Sequence, residues 1–120
     1  MAGPKRRPDQ VAEVVRQVIA EALLREVRDP RIRLATITRV EVSADLSHAR
    51  VLVTAHGEPA ERDEALAGLE SAAGFFRTKV AKALSTRVVP ELTFVIDRGA
   101  EHAARIEEIL ASLRRSEEAT

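Results

Sequence analysis

Two stretches of β-branched residues standing close together set the narrowest limit on what this chain can become. Ala49 to Ala55 alternates cleanly, with Ala49, Val51 and Val53 on one face and Arg50, Leu52 and Thr54 on the other. Leu34 to Val42 (LATITRVEV) has the same strand-forming composition. Its alternation slips phase between Ile37 and Val40, which predicts a bulge. Only Ser43 to Ser47, a run of turn formers, separates the two, so the expected unit is an antiparallel hairpin.

Helical rhythm surrounds that hairpin. Val11, Val14, Val15, Val18, Ile19, Ala22, Leu23 and Val27 follow one helical stripe opened by Pro8, and it must stop by Asp29 because Pro30 drives its predecessor out of the helical region. After Gly57 and Pro59 a second stripe runs through Ala65, Leu66, Leu69, Ala72, Ala73, Phe76, Val80, Ala83 and Leu84. Gly74 lies inside it. A glycine in a helix interior costs about 0.5–1 kcal/mol relative to alanine, so close packing or a break in the helix should explain it, and Gly68 raises the same question more weakly. Pro90 closes the stripe, and Leu92 to Ile96 alternates as a third strand. Gly99 follows as a candidate helix cap. Ile106, Ile109, Leu110 and Leu113 mark a last amphipathic helix, with Glu101 and Arg105 placed as an i, i+4 pair and fraying expected beyond Arg115. A hairpin plus one later strand makes a three-stranded sheet, and amphipathic helices should cover one face of it: an α+β fold.

A chain of 120 residues suits one such domain. The expected divisions are a basic tail over 1–8, the domain over 9–114 and a disordered tail over 115–120. No cysteine is present, which excludes disulfides, thiolate metal sites and cysteine nucleophiles and fits a reducing compartment. No segment approaches the length of a membrane span, so cytoplasm is the expected location. Lys and Arg total 19 and so do Asp and Glu, which would argue against a nucleic-acid partner if the charges were mixed evenly. They are not: residues 1–39 and 71–89 each carry +4, residues 40–70 carry −5 and residues 90–120 carry −3. The expectation is a surface with one basic and one acidic side.

The residues that could carry chemistry are few. His48, His56 and His102 lie in different elements with no second ligand at metal spacing. Asp45, Ser47 and His48 crowd into the hairpin turn, where Asp and Ser ordinarily hydrogen-bond the backbone. Neither phosphate-binding glycine motif nor a nucleophile elbow occurs. Of the three aromatic residues, Phe76 and Phe94 fall on core-facing stripes, which disfavours a base-stacking sheet, and Phe75 is the open case. What remains is basic. Arg77, Lys79, Lys82 and Arg87 follow Gly74 with no acidic residue from Ser71 to Val89. A helix placed so can meet a phosphate with side chains and N-terminal amides together. From charge alone, RNA binding and a merely solvated helix face both stay open.

Three ordered motifs narrow the choice: Asp29-Pro30-Arg31; Val42 to Val51 (VSADLSHARV); and Val89-Pro90-Glu91-Leu92-Thr93-Phe94. With Ala73-Gly74-Phe75-Phe76-Arg77 between the last two and Ala104-Arg105-Ile106 after them, the chain resembles the bacterial ribosome-binding factor A family over residues 8–113. That resemblance implies a type II KH-like fold in which a helix-kink-helix at Ala72-Ala73-Gly74 replaces the glycine loop. It implies an assembly factor that binds the small (30S) ribosomal subunit and its 16S ribosomal RNA, assists late maturation and processing of the RNA's 5′ end, and matters most in the cold. It implies no enzymatic step; no cofactor, no small-molecule substrate and a monomer are expected besides. The RNA-binding residues expected on this basis are Lys5, Arg6, Arg7, Arg28, Arg31, Ala72, Gly74, Arg77, Lys79, Lys82 and Arg87. The chain departs from the family pattern at Arg33, where glycine is common, and at Ser85, where an arginine is common, so one phosphate contact is missing or is supplied by Arg33. A second reading, from another class, is a protein-interaction module docking through an acidic C-terminal helix, Glu101 to Glu118.

Overall fold

The computed structural model describes residues 7–32, 35–85 and 88–119. Helix α1 (Pro8–Arg25) places Pro8 at its first position, where the missing N–H is no loss, and carries Asp9 in its first turn and Arg25 in its last, both favourable to the helix dipole. Val11, Val15, Ile19 and Ala22 form its buried stripe. The helix ends where the Glu26 and Val27 amides both donate to the Ala22 carbonyl, and a 3-10 turn, Pro30–Ile32, follows.

Strand β1 (Ala35–Val42) pairs antiparallel with β2 (His48–Ala55), Val42 opposite Ala49 and Ile37 opposite Val53. The register shifts between Ile37 and Arg39, so Thr38 is the extra residue of the predicted bulge. Leu46 takes a φ of 64° in the connecting turn. Helices α2 (Pro59–Ser71) and α3 (Ala73–Leu84) carry the chain over one face of the sheet to β3 (Glu91–Ile96), which lies parallel to β2 on its other side, Val51 opposite Phe94. The strand order is therefore β1-β2-β3 with β2 in the centre. Val11, Val15, Ile19, Val51, Val53, Leu69, Phe76, Val80, Leu84 and Phe94 meet in one core between α1–α3 and the sheet. Full burial of each large side chain there contributes about 1.5–3 kcal/mol.

The last helix behaves differently. Helix α4 (Arg98–Glu118) buries no residue, and Ile106, Ile109, Leu110 and Leu113 are 43–57% exposed. Its amphipathic stripe therefore leaves the sheet uncovered, and the helices on the covered face are α1, α2 and α3 alone. Helix α4 runs past Arg115 to Glu118, through residues uninterrupted by Gly or Pro. Pro8 likewise belongs to α1 and not to a tail.

Its base is fixed by the bulge. Extra residue Thr38 turns its hydroxyl to donate to Asp97 Oδ2 at 2.6 Å, while Asp97 Oδ1 caps α4 by accepting from the Ala100 amide at 3.0 Å. The Asp97 amide donates to the Val53 carbonyl at 2.7 Å, which ties the same residue to the central strand. Glu101 meets Arg62 of α2 at 2.5 Å, so it is engaged by another element and not by Arg105.

Candidate nucleic-acid interface

The helical run expected through Gly74 breaks two residues earlier. Ala72 has φ −90° and ψ 2°, outside helical geometry, and its amide is shared between the Gly68 and Leu69 carbonyls at 3.1 Å each. From Ala73 the helix restarts, with the Phe76 amide donating to the Ala72 carbonyl at 3.1 Å. The two glycines of this region differ in kind. A Cβ on Gly68 would lie 3.0 Å from Ile32 Cγ1 and 3.4 Å from Arg31 Cβ, so this glycine lets α2 press against the 3-10 turn. A Cβ on Gly74 would meet nothing within 4 Å. Nothing inside the molecule requires a glycine there, and its exposed backbone is open to close approach from outside.

At 100° per residue, Gly74, Thr78, Lys82 and Ser85 share the outward face of α3, opposite Phe76, Val80 and Leu84. Arg77 flanks that face on the side of β3 and donates to the Val89 carbonyl at 3.1 Å, which fixes the guanidinium without neutralising it. Phe75 and Lys79 flank it on the side of α1. Lys79 Nζ contacts Glu26 at 2.5 Å and sits 5.2 Å from the centroid of the Phe75 ring. At its C-terminus the helix stops on Ser85, which takes the left-handed conformation (φ 52°) and turns its hydroxyl to the Lys82 carbonyl at 3.3 Å. The hydroxyl thereby satisfies a carbonyl that the helix end leaves open.

The composite basic face is thus narrower than its residues suggest. Arg28 and Lys82 are exposed and, among the described residues, have no ion pair or side-chain hydrogen bond. Arg7 is exposed beside the start of α1, its amide donating to Gln10 Oε1 at 3.1 Å. Arg31 is drawn into a fork with Asp29, Nη2 to Oδ2 at 2.6 Å, and its side-chain and backbone hydrogen bonds hold the Asp29 carboxyl below the usual range. Arg31 and Lys79 therefore each face a carboxylate of this same chain. Ala72 is half-buried at the break. Lys5, Arg6, Arg33 and Arg87 lie outside the described residues.

The other polar clusters are accounted for locally. Asp45 Oδ1 accepts from the hydroxyls of Ser43 and Ser47, both at 2.7 Å, and from the Ser47 amide at 3.0 Å. These bonds hold its carboxyl far below the usual range. Ser47 stands between Asp45 and His48, 2.9 Å from the imidazole Nδ1. In a catalytic triad the histidine occupies the middle position, so this order cannot orient a base toward a nucleophile. Among the described residues, no group of three His, Asp or Glu could hold a metal ion, and no helix is long and apolar enough to cross a membrane.

Residues 7–110 match the family model described as ribosome-binding factor A. The chain is 42% identical over 113 residues to ribosome-binding factor A of Rhodopirellula baltica, covering 94% of this chain and 82% of that protein. It is 43% identical to the Thermomicrobium roseum protein of the same name, covering 92% and 86%. Among solved structures, ribosome-binding factor A of Thermus thermophilus superposes with a TM-score of 0.67 at 27% identity, covering 78% of this chain and 99% of that one. A second Thermus structure, with a TM-score of 0.58, 29% identity and 71% and 89% coverage, is a model of that protein fitted into a map of its complex with the 30S subunit. Sequence and fold agree, and on that ground the chain belongs to the ribosome-binding factor A family.

Proposed function

We propose that this protein binds the small ribosomal subunit through its 16S ribosomal RNA, using the outward face of α3 and the kink before it. The single observation that carries the reading is the stretch from Ser71 to Ser85: an exposed helix with no acidic residue, an open glycine near its start and Lys82 unengaged on its surface. Support from outside the chain is the 30S complex of the Thermus relative. The binding chemistry is that of phosphate contacts, which position a protein on RNA by backbone geometry more than by base identity. Within that reading the protein acts in the cytoplasm as a late assembly factor, assists maturation of the 5′ end of 16S RNA, matters most in the cold and catalyses no covalent step. Lys5, Arg6, Arg7 and Arg87 are further candidate contacts in this reading, and of these Arg7 alone lies among the described residues.

The test uses Arg28→Gln and Lys82→Gln together, because neither side chain holds the protein's own structure. Each lost phosphate contact flattens the log–log salt dependence of binding by about 0.7–0.9. The pair should therefore lower affinity for isolated 30S subunits and reduce the slope by about 1.4–1.8. An unchanged affinity and slope would remove the proposed face. Docking of a partner protein through α4 is the weaker reading, because the helix is not an acidic surface: it carries five glutamates against four arginines, and Glu101 is engaged by Arg62. Retention of a partner after nuclease treatment would favour it.

A further inference from the structure

Phe75 stands apart from the rest of the aromatic set. Phe76 and Phe94 are fully buried, whereas Phe75 is 44% exposed on a helix that otherwise presents only polar, small or basic residues outward. Its ring is not loose. Phe76 packs against it in an edge arrangement with centroids 5.7 Å apart, and the Lys79 ammonium, itself anchored by Glu26, sits 5.2 Å from its centroid. The ring is thus pre-positioned, and little side-chain freedom remains to be lost when something covers it. Gly74 beside it leaves open space where any other residue would project a side chain. Lys82 lies about 20° from Phe75 around the helix and about 10 Å further along it, on the path of a strand that follows the same face.

We infer that Phe75 is a stacking platform for an unpaired RNA base, with one flanking phosphate met by the open backbone at Gly74 and a phosphate further along the same strand met by Lys82. The inference rests on the RNA reading of the same face and adds what charge alone lacks: a preference for a single-stranded or bulged nucleotide over a continuous duplex. A base has an apolar face bordered by an anionic backbone, and an exposed ring on a helix that carries no acidic residue, with Lys82 unengaged on the adjoining face, matches both halves. A neutral protein side chain could cover the ring but would leave Lys82 without a counter-charge. The platform is on a helix and not on the sheet.

The chain contains no Trp and no Tyr, so Phe75→Trp places a lone fluorophore at the proposed contact. The expected result is that its emission is quenched by a short unpaired oligoribonucleotide and by isolated 30S subunits, and much less by an RNA duplex of the same length. Phe75→Leu, which keeps apolar bulk but has no π surface, should bind 30S subunits about five-fold or more weakly with an unchanged salt slope. That separates stacking from the flattened slope of Arg28→Gln/Lys82→Gln. If Phe75→Leu binds as the parent does while the charge variant is weakened, the stacking inference is wrong and the RNA reading stands. If neither is weakened, both are wrong. If the Trp emission shifts to the blue on 30S subunits without quenching and ignores the oligoribonucleotide, the ring contacts a ribosomal protein and the inference is overturned.

Discussion

Gly68 and Gly74 sit six residues apart, on either side of the break at Ala72, and answer to opposite constraints. Gly68→Ala would force a methyl group to 3.0 Å from Ile32 Cγ1, so it should destabilise the protein by about 1–3 kcal/mol, read as a lower urea midpoint. Gly74→Ala meets no atom and gains helix propensity, so it should leave stability unchanged or raise it by up to about 1 kcal/mol while weakening binding to 30S subunits. A gain in stability with unchanged binding would show that the open backbone at Gly74 plays no part in contact. The sequence raised the question at both positions, because a glycine within a helical stripe needs a reason. It could not separate them, since only the folded chain brings the 3-10 turn against one and leaves the other bare. The same holds for charge. Composition made Arg31 and Lys79 look like available cations, and the fold gave each a carboxylate, Asp29 and Glu26. One of those pairs spans two helices and has no signature in local spacing.

At the scale of elements, the slip in alternation between Ile37 and Val40 was the most informative irregularity in the sequence. It marked the bulge at Thr38, and the bulge turns that hydroxyl onto Asp97, the cap of α4. The hydrogen bonds from Thr38 and from the Ala100 amide hold the Asp97 carboxyl below its ordinary value. A depressed carboxylate contributes its full stability above the unfolded pKa, near 4, and loses it as pH falls through the lower folded value. Asp97→Asn should therefore lower the urea midpoint at pH 7 and shrink the difference between the two proteins as the pH is taken below about 4. A gap of constant size at every pH would mean that the carboxylate's charge contributes nothing. Hairpin and helices were legible, since period and punctuation are local, whereas the stripe through Gly74 left a break open and the kink came only with the family resemblance. The parallel placement of β3 beside β2 was not, because alternation says which face a strand buries and nothing about its neighbour. Nor was the separation of α4: an amphipathic stripe reads the same whether the fold covers it or not.

On the scale of the whole molecule, that separation gives an elongated particle, 71 × 28 × 20 Å, with the core confined to the sheet and α1–α3. Removing residues 106–120 should therefore leave the thermal midpoint within a few degrees of the parent's and shorten the long dimension in small-angle scattering. A collapse of cooperative unfolding would show that α4 supports the core after all. The uncovered stripe has a calorimetric consequence as well. The heat-capacity increment of unfolding measures surface newly wetted when the chain opens, about 12–15 cal/mol/K per residue in ordinary domains. Ile106, Ile109, Leu110 and Leu113 are already half wetted in the native state, so the 21 residues of α4 add little to it. The increment should be about 1.3 kcal/mol/K in place of the about 1.6 expected of 120 residues. A smaller increment bends the stability curve less, so the protein should lose less of its folding free energy on chilling than a fully packed chain of the same length.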